Sequence, residues 1–297
     1  MMKVLKPNVM APGMLVSSDA VEAEAAWSDA ATYAEGDIRV YETGRYQSLQ
    51  ASNLNHEPSS SPTWWTLLGP SNTWAMFDDQ VSTETEANES LEVVVNTGII
   101  DTVAILGVNA QTAHVTVRDG PGGTVVYEET QSMAGEEVFS WYEYFFSDPT
   151  VRRSQAVFTG IPPFGSSELT VELTAAAGLQ IGSLVFGRVK DLGQPYYGAR
   201  AGITDYSRKN TDDFGTTTFV RRAYSKNLQV QLEVDNLQVN RVQRLLYDLR
   251  ATPVVWLGSN RPEFSEPLVV FGFYKDFYCG IEYPKVSTYF LEIEGLI

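Results

Sequence analysis

The sequence predicts a mainly β protein: a small three-stranded N-terminal module, a central β-sandwich of the jelly-roll kind, and a C-terminal β-domain with one α-helix. Three observations predict it. Tyr, Phe, Thr and Val recur in short runs suited to a pleated, half-buried surface. Clusters of Gly, Pro, Asn and Asp punctuate those runs at short intervals. Only one stretch holds a sustained helical stripe. A length of 297 residues fits two or three domains, and texture divides the chain at 1–70, 71–192 and 193–297.

The first region is aromatic and rich in turns, with Pro58-Ser59-Ser60-Ser61-Pro62 lying between Asn55 and the Trp64-Trp65 pair. The second holds strand candidates at Ser90–Val95, Thr102–Leu106, His114–Arg118, Thr124–Glu128, Ala156–Phe158, Glu168–Ala175 and Ile181–Arg188. In His114-Val115-Thr116-Val117-Arg118 the two valines share one face at period two. Asn96-Thr97-Gly98, Asp119-Gly120-Pro121-Gly122-Gly123 and Pro162-Pro163-Phe164-Gly165 supply the turns. Strands at this spacing without helices between them read as a sandwich. In the third region Thr216–Val220 and Leu228–Val234 read as strands. Val239, Val242, Leu245, Leu246 and Leu249 then form one apolar stripe, capped by Asp235 or Asn236 and stopped before Pro253. Strands return at Val254–Leu257, Leu268–Tyr274 and Ser287–Glu294; in the last, Tyr289, Leu291 and Ile293 oppose Glu292 and Glu294.

Charge and composition exclude several classes. Lys+Arg total 21 against 37 Asp+Glu, a formal net charge of -16, and a phosphate backbone is held by the residues in deficit. Nucleic acid is therefore not an expected partner. The single cysteine, Cys279, sits in a strand-like run and reads as a small buried hydrophobe. His56 and His114, the only histidines, offer it no base nearby in sequence, and one cysteine cannot build a cysteine zinc site. Asp78-Asp79, Glu84, Glu86 and Glu89 lack the spacing of an EF-hand loop and read as a solvated surface. No catalytic constellation, metal site or cofactor is expected, so the chain reads as non-enzymatic. No apolar run is long enough to cross a bilayer and Met1–Ser18 lacks a secretory pattern, so synthesis and assembly in the cytoplasm are expected.

The first region carries the sharpest pattern: Trp27, Tyr33, Gly36-Asp37-Ile38-Arg39-Val40-Tyr41, Gly44, Tyr46, Asn53, Asn55, Pro58 and Trp64-Trp65. A small domain could use those rings as its core, whereas flat rings with polar tips also suit stacking on sugars. Trp27 to Pro70 resembles the chitin-binding-type modules of carbohydrate-binding families 5 and 12. It departs from them in a Val displaced by one position, in a shifted hairpin glycine, Gly44, and in the split pair Asn53 and Asn55. The resemblance implies a glycan face, for which Trp64, Trp65, Tyr41 and Tyr46 are the candidates.

Trp74-Ala75-Met76-Phe77-Asp78, followed by Ile100–Asn109 and Val115-Thr116-Val117, is similar to galactose-binding-like jelly rolls of phage structural proteins. The third region resembles phage tail-tip proteins in Leu192-Gly193-Gln194-Pro195-Tyr196-Tyr197-Gly198, Asp205–Lys209, Asp212-Asp213-Phe214-Gly215, Arg221–Lys226, Phe271–Phe277 and Leu291–Ile297. Arg208, Lys209, Arg221, Arg222 and Lys226 make a basic island in an acidic protein, read either as a solvated loop or as an assembly interface toward an acidic neighbour. The resemblance implies a virion location in the tail tip or baseplate, other tail proteins as partners, and a symmetric homo-oligomer. A cell-surface polysaccharide is the other partner it implies. A glycan-binding adhesion protein is the alternative reading, and a carbohydrate-active enzyme a third.

Overall fold

The computed structural model describes residues 1–78, 80, 83–134, 140–146, 152–211, 214–259, 265–281 and 283–296. Asp79, Asp212, Asp213 and Ile297, all named above, lie outside them. The chain forms two compact units, Met1–Asn8 with Phe186–Ile297, and Val9–Val185. The sequence reading assigned the first residues to the N-terminal module. Strand β1 (Met2–Pro7) instead belongs to the C-terminal unit, because Met2, Val4 and Leu5 are wholly buried there.

The N-terminal unit opens with β2 (Leu15–Ser18). Five short strands follow: β3 (Thr32–Tyr33), β4 (Ile38–Tyr41), β5 (Gly44–Ser48), β6 (Asn53–Leu54) and β7 (Trp65–Pro70). β4, β5 and β7 form an antiparallel three-stranded sheet, and β3 pairs with β6. The β4–β5 hairpin closes through Glu42 at φ 51°. At Gly44, where the second strand opens, a Cβ would stand 2.8 Å from Leu67 Cδ1 and 3.0 Å from Tyr46 Cε2, so both side chains would have to move aside.

A short helix α1 (Asn72–Ala75) leads to β8 (Thr85–Ala87), β9 (Ser90–Gly98), β10 (Thr102–Leu106), β11 (Thr112–Arg118) and β12 (Val125–Ser132). After α2 (Trp141–Phe146) come β13 (Gln155–Thr159), β14 (Ser167–Thr174) and β15 (Leu179–Ile181). One sheet runs β12-β11-β14-β9-β2, while β10 pairs with β13 and β8 with β15. Alternation sets its faces: Leu91, Val93, Val95, Val115, Val117, Leu169, Val171 and Leu173 are buried, and His114, Thr116 and Glu172 point the other way. His114 lies on that outer face beside Glu128 (3.3 Å) and Glu172 (3.7 Å). This is the expected β-sandwich.

Glu22 fixes the start of α1. Its carboxylate accepts the Asn72 N–H at 2.8 Å and the Thr73 N–H at 2.9 Å. Burial acts to raise its pKa, but the hydrogen bonds from Thr73, Ser71 and Asn72 outweigh it and hold the carboxyl below its usual range. A depressed carboxyl contributes stability that is present above the ordinary carboxylate range and lost as pH falls through the lowered value. Glu22→Gln should therefore lower stability at neutral pH by about 1 kcal/mol, after allowance for solvent screening, and flatten the acid limb. Thermal unfolding between pH 3 and 7 reads both effects.

The C-terminal unit continues with β16 (Ser183–Pro195), which enters it at Phe186. β17 (Arg200–Asp205), β18 (Arg208–Thr211), β19 (Thr217–Val220) and β20 (Tyr224–Asp235) follow, then α3 (Val239–Asp248), β21 (Val254–Leu257), α4 (Ser265–Leu268), β22 (Val269–Gly280) and β23 (Val286–Gly295). Antiparallel pairing runs β16-β1-β21-β22-β23-β20, and β20 returns to β16 through Gln194↔Glu233 and Pro195↔Leu232. Six strands thus close into a barrel, which removes free edges. α3 packs its predicted stripe into the core: Val242, Leu246 and Leu249 are buried with Leu228, Val230, Trp256, Tyr289 and Ile293. Tyr289 anchors it by donating to Gln243 Oε1 at 2.9 Å.

Three details differ from the sequence reading. α3 starts after Gln238, not after Asp235 or Asn236. Asp235 Oδ1 accepts the Leu237 N–H and Asn236 Oδ1 accepts the Ser287 hydroxyl, so both side chains are committed elsewhere. Leu268 ends α4 rather than opening a strand. Cys279 is half-buried against the core cluster on β22.

Candidate functional site

The module's rings divide between core and surface. Trp65 is only 2% exposed, edge-on to the buried Tyr33 at 5.3 Å, and its Nε1 donates to the His56 carbonyl at 2.8 Å. It is core, which corrects its nomination as a glycan contact: β7 begins there, with Trp65 opposite the buried Ser48. Trp64, one residue earlier, is half-buried and stacks on His56 with centroids 3.9 Å apart and planes 15° apart. Asn53, wholly buried, holds this corner: its Nδ2 donates to Ser48 Oγ at 2.9 Å and its Oδ1 lies 3.2 Å from His56 Nδ1.

Tyr41 and Tyr46 are brought together on one face of the small sheet. Arg39 faces Tyr46 and Tyr41 faces Gly44 across the hairpin, and the tyrosine rings lie 6.5 Å apart. Trp27 sets its edge against Tyr41 at 5.3 Å. The Tyr41 hydroxyl donates to Glu57 Oε1, and the Ser60 hydroxyl donates to Glu57 Oε2 at 2.9 Å. That bond from Tyr41, then the one from Ser60, holds the Glu57 carboxyl below its usual range, while the same contact with Glu57 raises the Tyr41 pKa. Two groups result: Trp27, Tyr41, Glu57 and Ser60 in one, and Trp64, His56 and Asn53 in the other, with Glu57 following His56 in the chain. The surface offers flat apolar faces beside a charged acceptor, which is what a sugar ring with hydroxyl donors requires. His56 and Glu57 were missed as site residues; their place in the turn between Asn55 and Pro58 was the available signal.

The basic island separates into two parts. Arg208 and Lys209 lie on β18, and Arg221 and Arg222 lie between β19 and β20; all four are exposed. They belong to a long hairpin: β17 pairs with the start of β20 from Arg200↔Gln229 to Asp205↔Tyr224, and β18 with β19 from Arg208↔Val220 to Thr211↔Thr217. Ser207 joins the two ladders, accepting the Arg222 N–H at 3.0 Å. The hydrogen bonds from Ser207, with a smaller contribution from the Arg221 charge, keep the Asp205 carboxyl below its usual range. Lys226 departs from the island. It is half-buried, its Nζ donates to the Glu266 carbonyl at 3.4 Å, and burial lowers its pKa against the opposing pull of Glu266. Its environment is the barrel wall.

The acidic cluster in the N-terminal unit lines a groove of about 1530 Å³, with Asp19, Glu24, Glu84, Glu86 and Glu89 around it. Arg45 answers one of these charges, 3.3 Å from Glu24. Among the described residues no group of three or more His, Cys, Asp or Glu is placed to hold a metal ion, and no helix is long and apolar enough to cross a membrane.

Compared with protein families and with curated proteins, the sequence matches none. Among solved structures the chain is similar to a variant of chitosan-binding module 1 from a chitosanase/glucanase of Paenibacillus sp. IK-5. The TM-score is 0.26 and the identity 13%, covering 38% of this chain and 82% of that module. Part of the chain is thus weakly similar to a carbohydrate-binding β domain.

Proposed function

We propose that the protein is a non-enzymatic structural component of a phage tail tip, docking through its C-terminal unit and contacting glycans through its N-terminal module. The observation that carries the assembly role is the hairpin on a barrel that is already closed. The six barrel strands are paired on both sides, and the hairpin, whose β17 ends the sheet, extends beyond them with Phe219 76% and Ile203 60% exposed between exposed arginines. Exposed apolar side chains among cations suit a partner surface better than solvent. The resemblance of the third region to tail-tip proteins points the same way. Electron cryomicroscopy of the particle tests it: density for the chain at the tail tip is expected, and a particle lacking the chain would remove the proposal.

A glycan contact is favoured by two exposed or half-buried aromatic features of the module, the Trp64–His56 stack and the Tyr41–Glu57 pair. Trp64→Ala and Tyr41→Ala are each expected to lower affinity for a β-linked amino-sugar oligomer about tenfold, equal to ~1.4 kcal/mol. Both should leave the far-ultraviolet circular dichroism unchanged. Titration calorimetry with such an oligomer measures this, and equal binding by wild type and both variants would remove the glycan reading. A free adhesion protein remains the alternative if the chain binds glycan but is absent from particles.

A further inference from the structure

The two units differ sharply in charge. Val9–Val185 holds 5 Lys+Arg and 24 Asp+Glu, a net charge of -19. The remainder holds 16 and 13, a net charge of +3. Within that remainder the hairpin from Arg200 to Tyr224 carries five cations and three carboxylates. From Gly202 to Thr211 it spans roughly 30 Å at strand rise. Ile203, Phe219, Val220 and Tyr224 are exposed along it. Carboxylates that could receive these cations line one groove of the Val9–Val185 unit, with Glu84, Glu86 and Glu89 among them.

We propose that the hairpin of one copy docks onto the acidic Val9–Val185 unit of a second copy, at the surface around Glu86 and Glu89. Complementary charge selects the partner: one chain carries both a cationic arm and a strongly anionic body, so a second copy supplies what the arm lacks. Arg221 and Arg222 meet the carboxylates, and Phe219 supplies apolar contact. Because the donor and acceptor surfaces are different, the contact is heterologous, and repeating it yields a ring if the rotation closes or a filament if it does not. Burial, then the charge of Glu86, pushes the Glu84 carboxyl up, so this surface already feels its own repulsion and gains from a cationic neighbour. The inference rests on the assembly reading of the hairpin.

The test is sedimentation of the purified full-length chain at low and high salt. The wild type is expected to form a multimer that dissociates as salt rises. Arg221→Glu with Arg222→Glu, Glu86→Lys with Glu89→Lys, and Phe219→Ser should each weaken association at least tenfold. All alter exposed positions, so circular dichroism should not change. Joining both charge reversals in one chain should restore the multimer. A wild type monomeric at every concentration, association indifferent to the arm substitutions, or no restoration by the double reversal overturns the proposal. So does a chain that only shifts duplex DNA through Arg221 and Arg222. A monomeric chain still present in tail tips would sink self-docking and leave the tail reading intact. A self-associating chain absent from particles would do the reverse.

Discussion

Trp65→Ala is expected to unfold the small module, at a cost of about 3–5 kcal/mol. The indole is 2% exposed, and a module of this size has few other large side chains to bury. Tyr33 loses its edge contact at 5.3 Å, and the His56 carbonyl loses the indole N–H that it accepts at 2.8 Å. That second loss spreads, since His56 also holds Trp64 by stacking and meets Asn53. The neighbouring Trp64→Ala removes a half-buried ring and should cost much less. Urea unfolding followed by tryptophan fluorescence compares the two. Equal midpoints would mean that Trp65 is not the module's core.

Adjacent tryptophans thus have opposite environments, which explains why the sequence could name the cluster without sorting it. Composition shows aromatic rings in a short segment; it cannot show which ring starts a strand against Ser48 and which stacks on a histidine. Alternation was far more legible. Thr102–Leu106 and Val254–Leu257 coincide with their strands, and the α3 stripe meets the core as its spacing requires. What escaped were segments whose pairing is long-range or whose faces are both wet. Met2–Pro7 has no alternation that reveals a partner some 180 residues on in sequence, yet it pairs with β16 from Met2↔Gly193 to Pro7↔Gly187. Arg200–Asp205 is exposed at every residue, so no apolar period marks it as a strand. The basic island was visible as composition, but Lys226 could be separated from it only once Glu266 was seen beside it.

In the C-terminal unit the largest effect is expected at Trp256, where alanine should cost about 3–5 kcal/mol. The side chain is wholly buried on β21, opposite Val4 of β1 and Val270 of β22. Its Nε1 donates to the Gly272 carbonyl at 3.0 Å, and losing that hydrogen bond adds about 0.5–1.5 kcal/mol. Gly272 lies where the backbones approach closely: a Cβ there would stand 2.1 Å from the Glu294 carbonyl oxygen. Closure amplifies the damage: a barrel strand is hydrogen-bonded on both sides, so loosening β21 disturbs β1 and β22 together. Trp256→Phe separates the two contributions, keeping most of the apolar volume while losing the N–H, and should cost about 1–3 kcal/mol. Denaturant unfolding of the two variants beside the wild type gives the order alanine, phenylalanine, wild type in rising stability. A phenylalanine variant as unstable as alanine would place the burden on the hydrogen bond to Gly272 rather than on packing.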